Sequence, residues 1–423
     1  MGMNIPYRYL LVASFLCCML STPAWGSGLW LYERGTPEVG TANAGVGARA
    51  EDASTALSNP AGMTRLEKSQ FLVGLQPMFL DIQFSPDSRT TTSGSSGDAS
   101  SFIPGMGLFY VHPLGDKWRF GFSLASFFGL GVKYEDDWVG RYYIQEGNFL
   151  TLSSVPTLAY KVNDWLSVGG GVAMVFSKYN SRAAINNLVS SDGELKFEDT
   201  DIGVGGVISC LAEPKKGTRF GIAYSSPVKL EFKDVAEFNG LGTGMNAILT
   251  GLGLIGSELS VEMTIPQTVM FSVFHEINEE WAIMGNIGWQ DWSEFGQIPV
   301  SISSTTSRSV TQDRNFDDTW HFALGAHYRF HPEWRVTAGI AHDTSPVSDE
   351  YRTVDLPLDR TWRYSAGLLH EYSRNTTLGF AYTFMDAGRA PINQRRGPLT
   401  GTLAGDYSSN YVHIIAISAN YRF

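Results

Sequence analysis

The chain has 423 residues, with 31 Lys and Arg against 42 Asp and Glu, a formal net charge of −11. That acidic balance excludes a nucleic-acid partner, because neutralising phosphates needs an excess of basic side chains. Three cysteines are too few for a disulfide framework, and 45 glycines with 13% aromatics at a mean hydropathy near zero do not describe a bundle of membrane helices.

Residues 1–26 read as a secretory signal peptide. Arg8 is the charged start, Leu10 to Leu20 the apolar stretch, and Ala24-Trp25-Gly26 a small-x-small end, so cleavage is expected before Ser27. The apolar stretch is about half of the roughly 20 residues that span a bilayer. Cys17 and Cys18 leave with this leader, and Cys210 remains.

Residues 27–69 do not alternate. Gly35, Gly40, Gly45, Gly47 and Gly62 lie among small residues, and Asn59-Pro60-Ala61-Gly62 has the chemistry of a turn. Apolar residues recur at Val39, Val46, Leu57 and Met63, which a free tail has no use for, so a compact plug is expected.

From residue 70 onward the pattern has period two. Trp320, Phe322, Leu324, Ala326, Tyr328 and Phe330 share one face, opposite Thr319, His321, Ala323, Gly325, His327 and Arg329. Similar alternation covers 218–233, 258–276, 375–386 and 410–423, in runs longer than the strands of a soluble sandwich. Such lengths suit strands that cross a bilayer at a tilt. Fourteen are expected, over 70–84, 103–113, 117–132, 149–162, 165–180, 198–212, 218–233, 258–276, 280–295, 318–330, 333–344, 360–372, 375–386 and 410–423. Tight turns alternate with long connections, which is the outer-membrane arrangement. The fold class is therefore all-β: a 14-stranded antiparallel transmembrane barrel over 70–423, with an N-terminal plug, or hatch, over 27–69. Phe423 ends the last strand in an aromatic residue, which resembles the signal read by the outer-membrane assembly machinery.

The sequence also resembles the FadL/TodX family of outer-membrane transporters. Ser27-Gly28-Leu29-Trp30-Leu31-Tyr32-Glu33, Gly45 to Ala53 and Asn59-Pro60-Ala61 look like the family's mature N-terminus. Asn163 to Val172, Trp289 to Ser293, Gly339 to Val347 and Leu356 to Trp362 continue the likeness in order. The resemblance implies passive uptake of long-chain fatty acids or other hydrophobic compounds. Ligand is captured among external loops, passes to a lumenal pocket and leaves sideways through a kink in the third strand.

Candidate sites follow from the residues and from this likeness. The connection 234–257 is apolar, and Leu241, Met245, Ile248, Leu249 and Leu252 keep helical spacing beside Phe238, so it is a capture loop or a helix packed on the rim. The likeness places the kink of strand three at Gly129 and Gly131, since glycine inside a strand weakens pairing, while ordinary glycine usage in a chain with 45 of them is the alternative. A carboxylate needs a basic partner, and Lys178, Arg182 and Arg314 are the candidates the likeness suggests, although strict alternation points Lys178 and Arg182 outward. No catalytic group, cofactor or metal site is expected. His321 and His327 share a face but stand six residues apart, about 20 Å along a strand, and no Gly-x-Ser-x-Gly elbow occurs. Expected partners are a hydrophobic small molecule, outer-membrane lipid and the assembly machinery, with the chain a monomer in the outer membrane. A structural or adhesive barrel and a general porin are the alternatives.

Overall fold

The computed structural model describes residues 32–303 and 308–423. The leader and residues 27–31 of the plug segment lie outside the described residues. Among those described, fourteen strands form one ring: Gln70–Pro86, Ser101–Leu114, Trp118–Ala125 continued by Gly129–Lys133, Glu146–Lys161, Leu166–Ile185, Gly193–Lys215, Thr218–Ser225, Thr268–Glu276, Trp281–Gln290, Thr319–His331, Trp334–Asp343, Thr361–Ser373, Thr376–Asp386 and Thr402–Arg422. Each pairs antiparallel with its neighbour, and the first closes on the fourteenth from Gln70↔Arg422 to Pro86↔Gly405. Closure satisfies the backbone between strands, so the barrel needs no disulfide to survive in hydrocarbon.

The alternation explains which face meets lipid. Phe71, Val168, Phe176, Ile208, Phe322 and Phe380 point outward and are 39% to 65% exposed, which only a lipid environment tolerates over so wide a band. Gln76, Ser123, Thr157, Ser272, Asn286 and Thr383 point inward and are buried. Beside the short turns Trp118 packs on Tyr160 at 4.7 Å and Trp281 on Tyr328 at 4.4 Å, forming an interfacial aromatic belt.

Strands seven and eight depart from expectation. Alternation reads straight through 218–233 and 258–276, yet each is split, at Ser226-Pro227 and at Pro266-Gln267. Proline cannot donate to a ladder, so the barrel pairing stops there. The continuations, Val228–Val235 and Glu258–Ile265, pair with each other. They are joined by a hairpin of Gln297–Ser303 and Arg308–Asp313, where a long loop was expected, to make a four-stranded sheet. This sheet leans inward, and Val228 lies against the inner face of strand six at Gly203 and Gly205. Its apolar face, including Leu230, Phe232, Met263 and Ile265, is therefore buried against Phe149, Trp292 and Phe295 in the outer half of the lumen. Strands five and six run beyond their expected ends and stay paired to Ile185↔Gly193, forming an arm above the rim.

The plug fills the inner half of the lumen. A 3-10 turn at Pro37–Thr41 packs on strands ten to fourteen, and a second at Pro60–Arg65 packs on strands three to six. Small residues make this possible. A Cβ on Gly339 would lie 2.0 Å from the Thr41 carbonyl oxygen, and one on Gly221 1.9 Å from that of Gly47.

Candidate functional site

The expected plug motif acts as a staple. The Asn59 side chain caps the second turn, accepting from the Ala61 N–H at 3.1 Å. Its Nδ2 donates to the Gly47 carbonyl within the plug at 2.6 Å and to the Cys210 carbonyl of strand six at 3.1 Å. The Ala61 N–H also reaches Ser209 Oγ at 3.0 Å, and Pro60 opens the turn, where its missing N–H costs nothing. Gly62 is required because a Cβ there would lie 2.7 Å from Thr55 and 2.9 Å from Ala50.

Outside the barrel, the apolar connection folds as expected into a helix, Thr243–Gly251. Phe238, Met245 and Leu249 line a groove of about 390 Å³. Ile248 and Leu252 lie on the other side and are about half exposed. The opposing wall comes from the arm of strands five and six, through Ala183, Ile185 and Leu195. Leu241 is half-buried and does not line the groove.

Below it a smaller cavity of about 80 Å³ lies between plug and wall. Tyr32, Val46 and Leu57 form its floor, Val228 and Pro266 its roof, and Phe127, Val155 and Ala173 its side. Arg34 is the one charged side chain that lines it among the described residues. Its Nε has no hydrogen-bond partner. Sequence reasoning did not select Arg34, because its orientation depends on the plug's fold and no periodicity reports that.

Phe127 belongs to the interruption of strand three. The kink was expected at Gly129 and Gly131, but the strand breaks at Ser126-Phe127-Phe128 and resumes at Gly129. Ala125 pairs with Ser153 and Gly129 with Leu150, so three residues oppose two, as in a bulge. The Thr151 and Ser126 hydroxyls donate to the Phe128 carbonyl. Phe128 turns inward among Phe149, Trp292 and Phe295 at 5.4 to 5.8 Å. Among the described residues the ladder of strand two with the first part of strand three runs from Gly107↔Ala125 to Leu114↔Trp118. Phe127, at this break, also lines the lumenal cavity.

The three basic candidates are already matched by acids. Lys178 faces outward and meets Glu198 at 2.5 Å. Arg182 lies on the arm, where Asp136, Glu194 and Glu146 surround it at 2.8, 3.2 and 3.9 Å, and it does not turn into the lumen. Arg314 is half-buried and pairs with Asp355 at 2.7 Å. Burial pushes the Asp355 carboxyl up, and the Arg314 charge outweighs it, holding the group at about 2. His321 bonds Asp343 at 2.8 Å, and Asp343 also pairs with Arg363, so the histidine belongs to an ion cluster on the wall. Among the described residues no group of three or more His, Cys, Asp or Glu side chains is arranged to hold a metal.

Comparison with known proteins agrees with this architecture. The model of the outer membrane protein transport protein (OMPP1/FadL/TodX) family matches residues 17–423. A long-chain fatty acid transport protein of Escherichia coli O6:H1 is 25% identical over 411 residues, covering 90% of this chain and 91% of the relative. A Pseudomonas aeruginosa FadL homologue superposes with a TM-score of 0.83 at 20% identity, over 94% of this chain and all of that one. The Pseudomonas putida toluene transporter TodX gives 0.66 at 18% identity, over 88% and 94%. Members of this family are transporters. The chain belongs to the OMPP1/FadL/TodX family of outer-membrane transport proteins.

Proposed function

We propose that the protein takes up long-chain fatty acids or other hydrophobic compounds passively across the outer membrane. The observation that carries this reading is the apolar lumenal cavity beside the break in strand three, with Phe127 common to both. The outer groove captures ligand by burying its apolar surface, worth about 25 cal/mol per Å². The ligand then enters the cavity as Tyr32 and Arg34 shift. It leaves between strand two and the resumed part of strand three, into the outer leaflet. Residues 27–69 serve as the hatch that blocks the direct route and separates this protein from a general porin. Catalysis and an energy-supplying partner have no part in the cycle. The chain acts as a monomer, and Phe423 at the end of strand fourteen serves the assembly machinery.

Arg34 sets the choice of ligand. A fatty-acid carboxylate has this cation to meet, whereas a hydrocarbon gains only apolar contacts. Equilibrium binding of a long-chain acid and of the alkane of equal length tests the reading. Arg34→Gln is expected to weaken the acid about tenfold, roughly 1.4 kcal/mol, and to leave the alkane unchanged. If neither ligand binds the wild type saturably, the uptake reading fails.

A further inference from the structure

Beneath the plug, the periplasmic mouth of the barrel holds a cavity of about 520 Å³ with a different chemistry. Seven of the side chains lining it are basic and five are acidic. Arg422 pairs with Glu371, and Arg65 with Glu213. At the centre, three arginines from three parts of the chain gather round one carboxylate. Arg335 of strand eleven reaches Glu51 Oε2 at 2.7 Å, and Arg49 of the plug reaches the same oxygen at 3.2 Å. Burial alone raises the Glu51 carboxyl, but Arg335, Arg49 and Arg219 are close enough to hold it well below the usual range.

Arg219 of strand seven has no such bond. Its Nη2 stands 3.7 Å from Glu276 Oε1, beyond hydrogen-bond distance, and its guanidinium lies over the Phe274 ring at 4.0 Å. Arg219 is 2% exposed and Arg49 1%. Nε and Nη2 of Arg219, and Nε and Nη1 of Arg49, have no hydrogen-bond partner. Buried guanidinium N–H groups are costly to leave unpaired, and their planar forks suit an oxyanion. The three arginines meet Glu51 and Glu276 in the vestibule, and Glu38 lies near enough to Arg49 to add to its balance, so the unmet N–H groups and not a surplus of charge mark the site. Asp52, also on the lining, adds little negative charge, because burial and the nearby Glu38 favour its protonated form.

We propose that the periplasmic mouth binds one small oxyanion, a carboxylate or inorganic phosphate, between Arg49, Arg219 and Arg335. The anion bridges plug and wall, since Arg49 belongs to the plug and the other two to the barrel. Its presence therefore fastens the plug. The site is separate from the lumenal cavity, and its failure would leave the uptake reading untouched.

The test uses the full-length protein in detergent with two probes, inorganic phosphate and butyrate, at constant ionic strength. Saturable binding of at least one probe is expected, weakened tenfold or more in Arg219→Gln and Arg49→Gln and partly retained in Arg219→Lys. Phosphate binding assigns a free periplasmic anion as the source. Butyrate binding without phosphate assigns a carboxylate, including that of a transported acid. Heat-modifiable gel mobility and unchanged alkane binding show that each variant is folded. In planar bilayers phosphate is expected to reduce open events of the wild type but not of Arg219→Gln. Absence of saturable binding for both probes overturns the proposal, as does equal binding by the wild type and a folded Arg219→Gln.

Discussion

The two halves of the lumen differ in kind. Above the plug the cavity is apolar and a single cation, Arg34, lines it among the described residues, whereas below it seven basic and five acidic side chains ring the mouth. A hydrophobic molecule that moved downward would give up apolar contact, at about 25 cal/mol per Å², for a charged and hydrated vestibule. A molecule that moves sideways past Phe127 stays in apolar surroundings from cavity to lipid. The break in strand three lies beside the upper, apolar region, and the arginine–glutamate cluster that spans plug and wall lies beside the lower one.

The largest expected effect comes from mending the wall. Deleting Phe127 makes two residues oppose two, so strand three can pair without a break. Uptake of a labelled alkane or fatty acid is expected to fall at least about tenfold while the barrel remains heat-modifiable on gels. Undiminished uptake would remove the upper region's claim to be the exit. A smaller change is expected at the groove. Met245→Ser with Leu249→Ser removes two apolar side chains from its lining, each worth about 1.5–3 kcal/mol when fully buried. Part of that value is lost here because the groove is open, so uptake at low ligand concentration should drop several-fold and recover at high concentration. Equal uptake at both concentrations would make the helix a rim support only.

The smallest effect concerns the plug's own acids. Ser54 Oγ stands 2.9 Å from Glu38 Oε1 and 2.5 Å from Asp52 Oδ1, and one hydroxyl proton cannot serve both. Burial and the Glu38 charge raise the Asp52 carboxyl. The seated plug thus holds this proton more tightly than a released one. Its seating is favoured at low pH and weakens as pH rises from the ordinary carboxylate range through the raised value. Open events in planar bilayers should become more frequent between about pH 5 and about pH 8, and Asp52→Asn should flatten the change. A steep dependence that survives in Asp52→Asn would assign it to another group.

Much of this contrast was legible in the sequence, and the rest was hidden for definite reasons. Alternation such as Trp320 to Phe330 reports a strand with one apolar face, and the spacing of turns reports the closed ring. Alternation does not say whether the apolar face meets lipid or a lumenal core. Phe220 and Ile222 face lipid, while Val228 and Leu230, in the same parity, are buried inside. Pro227 and Pro266 were the available signal for that turn. The break in strand three lies just ahead of the glycines, where the Thr151 and Ser126 hydroxyls bond the Phe128 carbonyl and the residue that turns inward is a phenylalanine, which no alternation reports. The three central arginines of the lower vestibule are far apart in sequence, at 49, 219 and 335, and only the folded plug sets Arg49 beside the two from the barrel wall.

Locking the plug tests the central claim most directly. The Gly47 N–H donates to Ser272 Oγ at 3.1 Å, and a Cβ on Gly47 would lie 3.3 Å from the Ser272 Cβ, close to the separation a disulfide needs. Gly47→Cys with Ser272→Cys, in a Cys210→Ser background, ties the plug to strand eight when oxidised. Uptake of a labelled hydrocarbon within about twofold of the reduced protein is the result expected if ligand leaves sideways above the plug. Uptake abolished on oxidation and restored by reduction would contradict it, and would place the route through the plug and the arginine vestibule instead.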